Sequence, residues 1–249
     1  MSSPNSAPPT IVLVHGAFTD ASSWAGVSRL LHAAGLTVHA VANPLRGLDQ
    51  DAAYVRSLLR QIDGPVVLVG HGYGGAVITG AAVDGDSAVA LCYVAALGLD
   101  TGECVLDITR RFNPMPVSDA ITVDCPAGPQ SELYIRKEHF PQVYAADLPL
   151  GVTTVMAVAQ RPIAHVALSG ESGAPAWACK PSWYAIAAAD RVLDPTAQRF
   201  MAQRMAATEY MLDASHAVLL SKPHAVAAMI LEAVEHGNDR GDYDLRHIF

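Results

Sequence analysis

The chain has 249 residues, 51% of them apolar and 16% charged, a composition that collapses around one substantial core and excludes disorder as a global state. Sixteen Lys and Arg against 24 Asp and Glu give a formal charge of -8, so a phosphate backbone is repelled and nucleic acid is excluded as a partner. No apolar run reaches the roughly 20 residues that span a bilayer, and Cys92, Cys104, Cys125 and Cys179 form no C-x-x-C pair that would point to zinc or a disulfide framework.

Residues 1–9 lack the basic start and apolar core of a signal peptide and read as a disordered leader to a soluble, cytoplasmic protein. Short apolar runs then alternate with amphipathic stretches, which predicts an α/β fold with a mostly parallel sheet flanked by helices. In chain order the expected elements are strand Thr10–Val14, helix Ser22–Ala34, strand Leu36–Val41, helix Asp49–Gln61, strand Val66–Gly70, helix Tyr73–Val83 and strand Ala88–Ala95. Several of these runs are apolar at nearly every position, as strands buried on both faces are. Cys92 falls inside the last run and reads as a small core residue.

The alternation stops over residues 100–178, where Pro114, Pro116, Pro126, Pro129, Pro141 and Pro149 interrupt the pattern. Helical pieces are expected at Ser131–His139 and Gly151–Gln160, which makes this stretch an inserted helical lid over a pocket. The core, residues 10–99, resumes over 179–236. There the expected elements are strand Ser182–Ala188, helix Pro195–Met205 capped by Asp194, strand Glu209–Leu212 and helix Lys222–His236 capped by Ser221. The polar residues 237–249 form a C-terminal tail.

Three segments carry chemistry. One is a buried strand running into His15-Gly16-Ala17-Phe18; the second is a buried strand entering the sharp turn Gly70-His71-Gly72-Tyr73-Gly74 before a helix; the third is the pair Asp190 and His216, each following a strand. In these features the chain resembles the α/β-hydrolase superfamily, especially small esterases and the related methylesterase and hydroxynitrile-lyase group, from Thr10 to about His236. The family's turn reads G-x-S-x-G, with a serine nucleophile on a strained strand-to-helix elbow. Here the nucleophile position is Gly72, which has no hydroxyl to acylate.

The resemblance implies His216 as the proton shuttle, Asp190 as the residue that orients it, and an oxyanion hole built from the backbone N–H groups of Tyr73 and of Ala17 or Phe18. Asp194 and Asp213 compete for the acid role, but Asp194 suits a helix cap and Asp213 lies only three residues before His216. His15 and His71 read as hydrogen-bonded histidines bracing the two turns, and Trp24 as packing beneath the first. Phe112, Tyr134, Phe140, Tyr144, Met156 and Trp177 are the lid residues that could line an apolar pocket.

No metal spacing occurs among the histidines, and the glycines do not space as a dinucleotide fingerprint, so no metal or cofactor is expected. The implied partner is a small-molecule substrate, with a homodimer admitted and no nucleic acid or membrane. The leading reading is an esterase or lactonase scaffold for a small apolar carboxylic ester, lacking its serine step. Two alternatives stand beside it. One is a lyase, isomerase or cyclase using the Asp190–His216 dyad as general base; the other is a small-molecule receptor using the lid pocket.

Overall fold

In the computed structural model, which describes residues 8–83, 87–124 and 131–238, the first apolar run forms β1 (Thr10–Val14). A 3-10 turn at Ala21–Trp24, capped by the Asp20 carboxylate on the Ser22 N–H at 2.7 Å, leads into α1 (Ala25–Ala33). β2 (Val38–Val41), α2 (Leu48–Leu59), β3 (Val66–His71), α3 (Tyr73–Ala81) and β4 (Ala88–Val94) follow. The chain then leaves the sheet for α4 (Val105–Arg111), α5 (Val117–Ala120), β5 (Ile121–Asp124), β6 (Glu132–Ile135), α6 (Phe140–Tyr144), α7 (Leu150–Ala159), β7 (Ile163–Ala164) and α8 (His165–Ser169). It returns through β8 (Ser182–Ala187), α9 (Pro195–Arg204), β9 (Thr208–Leu212), α10 (Val218–Ser221) and α11 (Pro223–Asn238).

The six long-sheet strands run in the order β2-β1-β3-β4-β8-β9, all parallel to their neighbours. Side-chain alternation divides the core into two layers. Ile11, Leu13, Val67 and Val69 pack with Leu31 of α1 and Ile230 of α11. Val12, Val14 and Leu68 pack with Val55 of α2 and Val77 of α3. Each such aliphatic side chain contributes roughly 1.5–3 kcal/mol when fully buried, which is why the central strands read as unbroken apolar runs. Because β2 lies on one side of β1 and β3 on the other, the crevice beyond the ends of β1 and β3 is the switch point where sheets of this kind open a site.

The excursion between β4 and β8 differs from the helical lid expected. It contains a three-stranded sheet, β5-β6-β7, with antiparallel pairing. Residues Ser131–His139, expected to be helical, instead supply β6. Leu133 and Ile135 are buried while Glu132 and Tyr134 are half-exposed, a period of two that needs strand partners before it can be told from a helical turn. The expected helix at Gly151–Gln160 corresponds to α7.

Other boundaries also move. Asp194 caps α9, accepting from the Thr196 N–H at 2.8 Å. Ser221 ends α10 rather than capping α11, because Pro223 begins the longer helix. α11 continues to Asn238, two residues past its expected end. Residues 1–7 of the expected leader and 239–249 of the expected tail lie outside the described residues. No helix among the described residues is long and apolar enough to cross a membrane.

Candidate active site

β3 delivers its last residue, His71, into a turn at Gly72 with φ 52° and ψ -122°, a backbone conformation that disfavours any side chain. The turn is tied on three sides: the Gly72 N–H donates to the Val94 carbonyl at 3.3 Å, and its carbonyl accepts from Gly75 at 3.1 Å and Leu97 at 3.0 Å. Gly74 lets α3 start this close to β1, since a Cβ there would sit 2.3 Å from the Val14 carbonyl oxygen. The N-terminus of α3 is therefore pressed into the crevice at the switch point.

His216 enters from the loop after β9. Its Nδ1 lies 2.7 Å from Oδ2 of Asp190, and a Cβ built on Gly72 would lie 3.1 Å from its Nε2. The imidazole thus points one nitrogen at a carboxylate and the other at the elbow. Asp190 accepts from the Val192 and Leu193 N–H groups on Oδ1 (2.7 and 3.0 Å) and from Gln198 on Oδ2 (2.7 Å). Asp194 is committed to its helix cap and Asp213 is exposed, which leaves Asp190 as the partner of His216.

Gln198 has no counterpart in the sequence reading. It is fully buried on α9, donates to both Asp190 Oδ2 and the Leu193 carbonyl (2.9 Å), and accepts from the Ala187 N–H at 3.0 Å. A signal did exist: Ala197, Gln198, Met201, Ala202 and Met205 form one helical stripe, and an amide on an otherwise apolar stripe needs buried partners.

The loop carrying His216 is braced from both layers. His71 donates through Nε2 to the His216 carbonyl at 2.9 Å, its ring centroid 4.7 Å from that of His216. Burial, followed by the neighbouring His216, holds the His71 pKa well below its ordinary 6.5, so it serves as a neutral donor. From the excursion, Asp147 accepts from the Ser215 N–H at 3.1 Å and from the Ser215 hydroxyl. Burial acts to raise the Asp147 pKa, but the hydroxyl and backbone donors outweigh it and the carboxyl lies below its usual range.

On the β1 side, His15 donates from Nδ1 to the Gly16 carbonyl at 2.8 Å and accepts on Nε2 from Asn43 N–H at 3.1 Å. Trp24 lies under this turn, edge-on to His71 at 6.3 Å. The N–H of Phe18 donates to the Arg161 carbonyl at 3.1 Å. Phe18, whose φ is 63°, is therefore no longer a candidate oxyanion donor. The N–H groups of Ala17 and Tyr73 meet no acceptor among the described residues. Backbone donors left over at a helix start and a neighbouring turn are the arrangement that receives a developing oxyanion.

Ala17, Phe18, Gly72, Tyr73 and His216 all face one pocket, closed by aliphatic side chains such as Leu97, Val105, Ile121, Ile163 and Leu168. None of the six aromatic and Met candidates, about half of them expected to line an apolar pocket, lines this one. Phe140 and Tyr144 are fully buried and stacked at 4.9 Å. Tyr144 presents its ring edge to His216 at 5.0 Å and donates its hydroxyl to the Ala17 carbonyl at 3.2 Å. Trp177 bonds the Leu99 carbonyl at 2.9 Å, and Tyr134 reaches Glu132. Met156 borders a separate groove beside α7, and Phe112 an adjoining cavity. The large rings support the excursion from behind, and smaller aliphatic residues face the pocket. Among the described residues no group of three or more His, Cys, Asp or Glu side chains could hold a metal.

A model of the alpha/beta hydrolase family matches residues 11–229. Among solved structures the chain is similar to a pyrethroid hydrolase from Sphingobium faniae JZ-2, with 23% identity and a TM-score of 0.76 over 91% of this chain and 97% of that one. It is similar to a methylesterase, MES16, from Arabidopsis, with 24% identity and a TM-score of 0.76 over 92% and 99% of the two chains. Polyneuridine aldehyde esterase gives 17% identity and a TM-score of 0.77 over 91% and 99%. No curated protein sequence gives a match.

Proposed function

The chain belongs to the alpha/beta hydrolase family, and we propose that it hydrolyses a small, largely apolar carboxylic ester, of the esterase or lactonase kind, with His216 activating water in place of an acylated serine. The observation that carries this reading is the aim of His216. Its Nε2 lies 3.1 Å from the position of a Gly72 Cβ while its Nδ1 is held by Asp190 at 2.7 Å. A hydroxymethyl group and a water molecule occupy comparable space, about 30 Å³, so an elbow without a side chain admits water where a serine oxygen would stand.

In this reading His216 Nε2 takes a proton from water as its oxygen adds to the ester carbonyl, and Asp190 stabilises the imidazolium through Nδ1–H. The carbonyl oxygen, now negative, faces the Ala17 and Tyr73 N–H groups. His216 then returns the proton to the departing alkoxide, giving one acid and one alcohol. Mass spectrometry of the enzyme quenched during turnover tests the scheme. Expected are hydrolysis that depends on His216 and no acyl adduct on the chain; ester turnover no faster than that of His216→Ala would overturn it.

The missing hydroxyl also favours a second reading. With nothing standing between His216 and the ligand, the same nitrogen can take a proton from carbon, as a lyase, isomerase or cyclase requires. Deuterium uptake from D2O at the carbon beside a bound carbonyl, without ester cleavage, would identify that chemistry. A receptor would keep its ligand affinity in His216→Ala and show neither reaction.

A further inference from the structure

A second cavity adjoins the pocket beneath His216 across part of its wall. Thr109, Val117, Val192 and Leu193 border both. Beyond this collar the walls change character: Phe112 and Met115 are half-buried, whereas Asn113 and Ser118 are exposed. On the opposite side, the groove beside α7 shares only Phe18 with the inner pocket. That ring is 6% exposed and set edge-on to Tyr144 at 6.5 Å, so it acts as a partition. Among the described residues, the second cavity thus shares four lining residues with the inner pocket and the groove beside α7 shares one.

We propose that this second cavity is an outer substrate chamber. It would take an extended apolar arm ending in a neutral hydrogen-bonding group such as a hydroxyl, while the compact part next to the carbonyl fills the inner pocket. The inference rests on the ester reading above and names the class of substrate. Register across the collar is fixed, because the Val192 and Leu193 N–H groups that shape it are the donors holding Asp190 Oδ1. A ligand threaded between them has its arm at a set distance from the nitrogen that moves the proton. Phe112 and Met115 give the arm apolar contact, and Asn113 and Ser118 give its end polar partners. Asp194 also lines this chamber, which disfavours an anionic terminus.

Unreactive ketones separate the chamber from the chemistry. Calorimetric affinities for methyl ketones of five to ten carbons, the longest with and without a terminal hydroxyl, should rise by up to about fourfold per added methylene past the inner pocket. The hydroxyl should strengthen the longest further. Ser118→Trp, on an exposed position bordering only the outer chamber, should cost the ten-carbon ketone roughly tenfold and move the five-carbon one less than about twofold, the difference in buried methylenes. Asn113→Trp, also exposed, repeats the test from the other rim should the first variant fold poorly. Affinity that stops rising at short length, or equal losses for both ketones, overturns the chamber. His216→Ala removes the hydrolysis without altering the dependence on length, so the two readings fail by different results. Absence of binding by every ketone would overturn the chamber, whereas the hydrolysis reading falls only if ester turnover is no faster than that of His216→Ala.

Discussion

A Cβ on Gly72 would stand 3.1 Å from Nε2 of His216, close enough that a serine hydroxyl one bond further would come within hydrogen-bonding reach of the imidazole. Gly72→Ser should therefore install an acylatable nucleophile. A short p-nitrophenyl ester should be cleaved on the order of 10²-fold faster or more, and a fluorophosphonate should add mass to the variant and not to the present chain. The 3.1 Å approach requires the imidazole to give by a few tenths of an ångström. Together with the positive φ, which costs a side chain about 1–3 kcal/mol, this should lower the melting temperature by several degrees. Equal ester rates and no labelling would show that His216 does not serve this position.

Removing the proton acceptor should act in the opposite direction from adding a hydroxyl at the elbow. His216→Ala is expected to reduce turnover by about 10²–10⁴-fold. Asp190→Asn would offer an amide N–H to Nδ1 and favour the wrong tautomer, so a comparable loss is expected. Steady-state rates with near-wild-type circular dichroism check both.

Gln198 acts through Asp190 rather than on substrate, and its replacement should show that signature. Gln198→Ala leaves the Ala187 N–H without its acceptor and Asp190 Oδ2 without one of its donors, which costs about 1–3 kcal/mol of stability. It should lower kcat while leaving KM nearly unchanged. Gln198→Glu keeps the shape and adds negative charge beside Asp190. That charge favours imidazolium and should move the acid limb of the rate profile to higher pH. A profile that stays in place while stability falls would reduce Gln198 to packing.

Stability should fall on the acid side of neutrality. His71 is held well below its ordinary 6.5 by burial and by His216, and His15 is lowered chiefly by burial. In the window between the depressed folded values and 6.5 the unfolded chain binds more protons than the folded one, so stability increases with pH there. Melting temperatures from pH 5 to 8 should rise and then level off. His71→Gln, which can still donate to the His216 carbonyl, should flatten part of that slope; an unchanged slope would exclude His71 as its source.

The sheet was legible because its central strands are buried on both faces. Ile11 through Val14 and Val66 through Val69 show as apolar runs whatever lies around them. The elbow and the dyad were legible for a different reason: the turn at Gly72 and the order of Asp190 and His216 resemble the α/β-hydrolase pattern, and each of the three follows a strand end. The β6 segment was not legible. Four alternating residues form a strand only because Ile121–Asp124 and Ile163–Ala164 lie on either side of them. Pocket lining was misassigned to the large rings for a related reason. Ring size signals burial, but Phe140 and Tyr144 bury themselves against each other behind the site, and the walls fall to Val105, Leu168 and Leu193.

Sequence by itself thus determined the α/β layering and the glycine at position 72 of the strand-to-helix turn, since both are properties of residue type and local order. Tertiary structure alone decided that the Phe18 N–H is taken by Arg161, that Gln198 holds the carboxylate and that a second cavity adjoins the pocket at Val192. Those outcomes depend on which backbone donors and acceptors remain once distant segments are packed together, and hydrogen bonds between residues far apart in the chain leave no periodicity in the sequence.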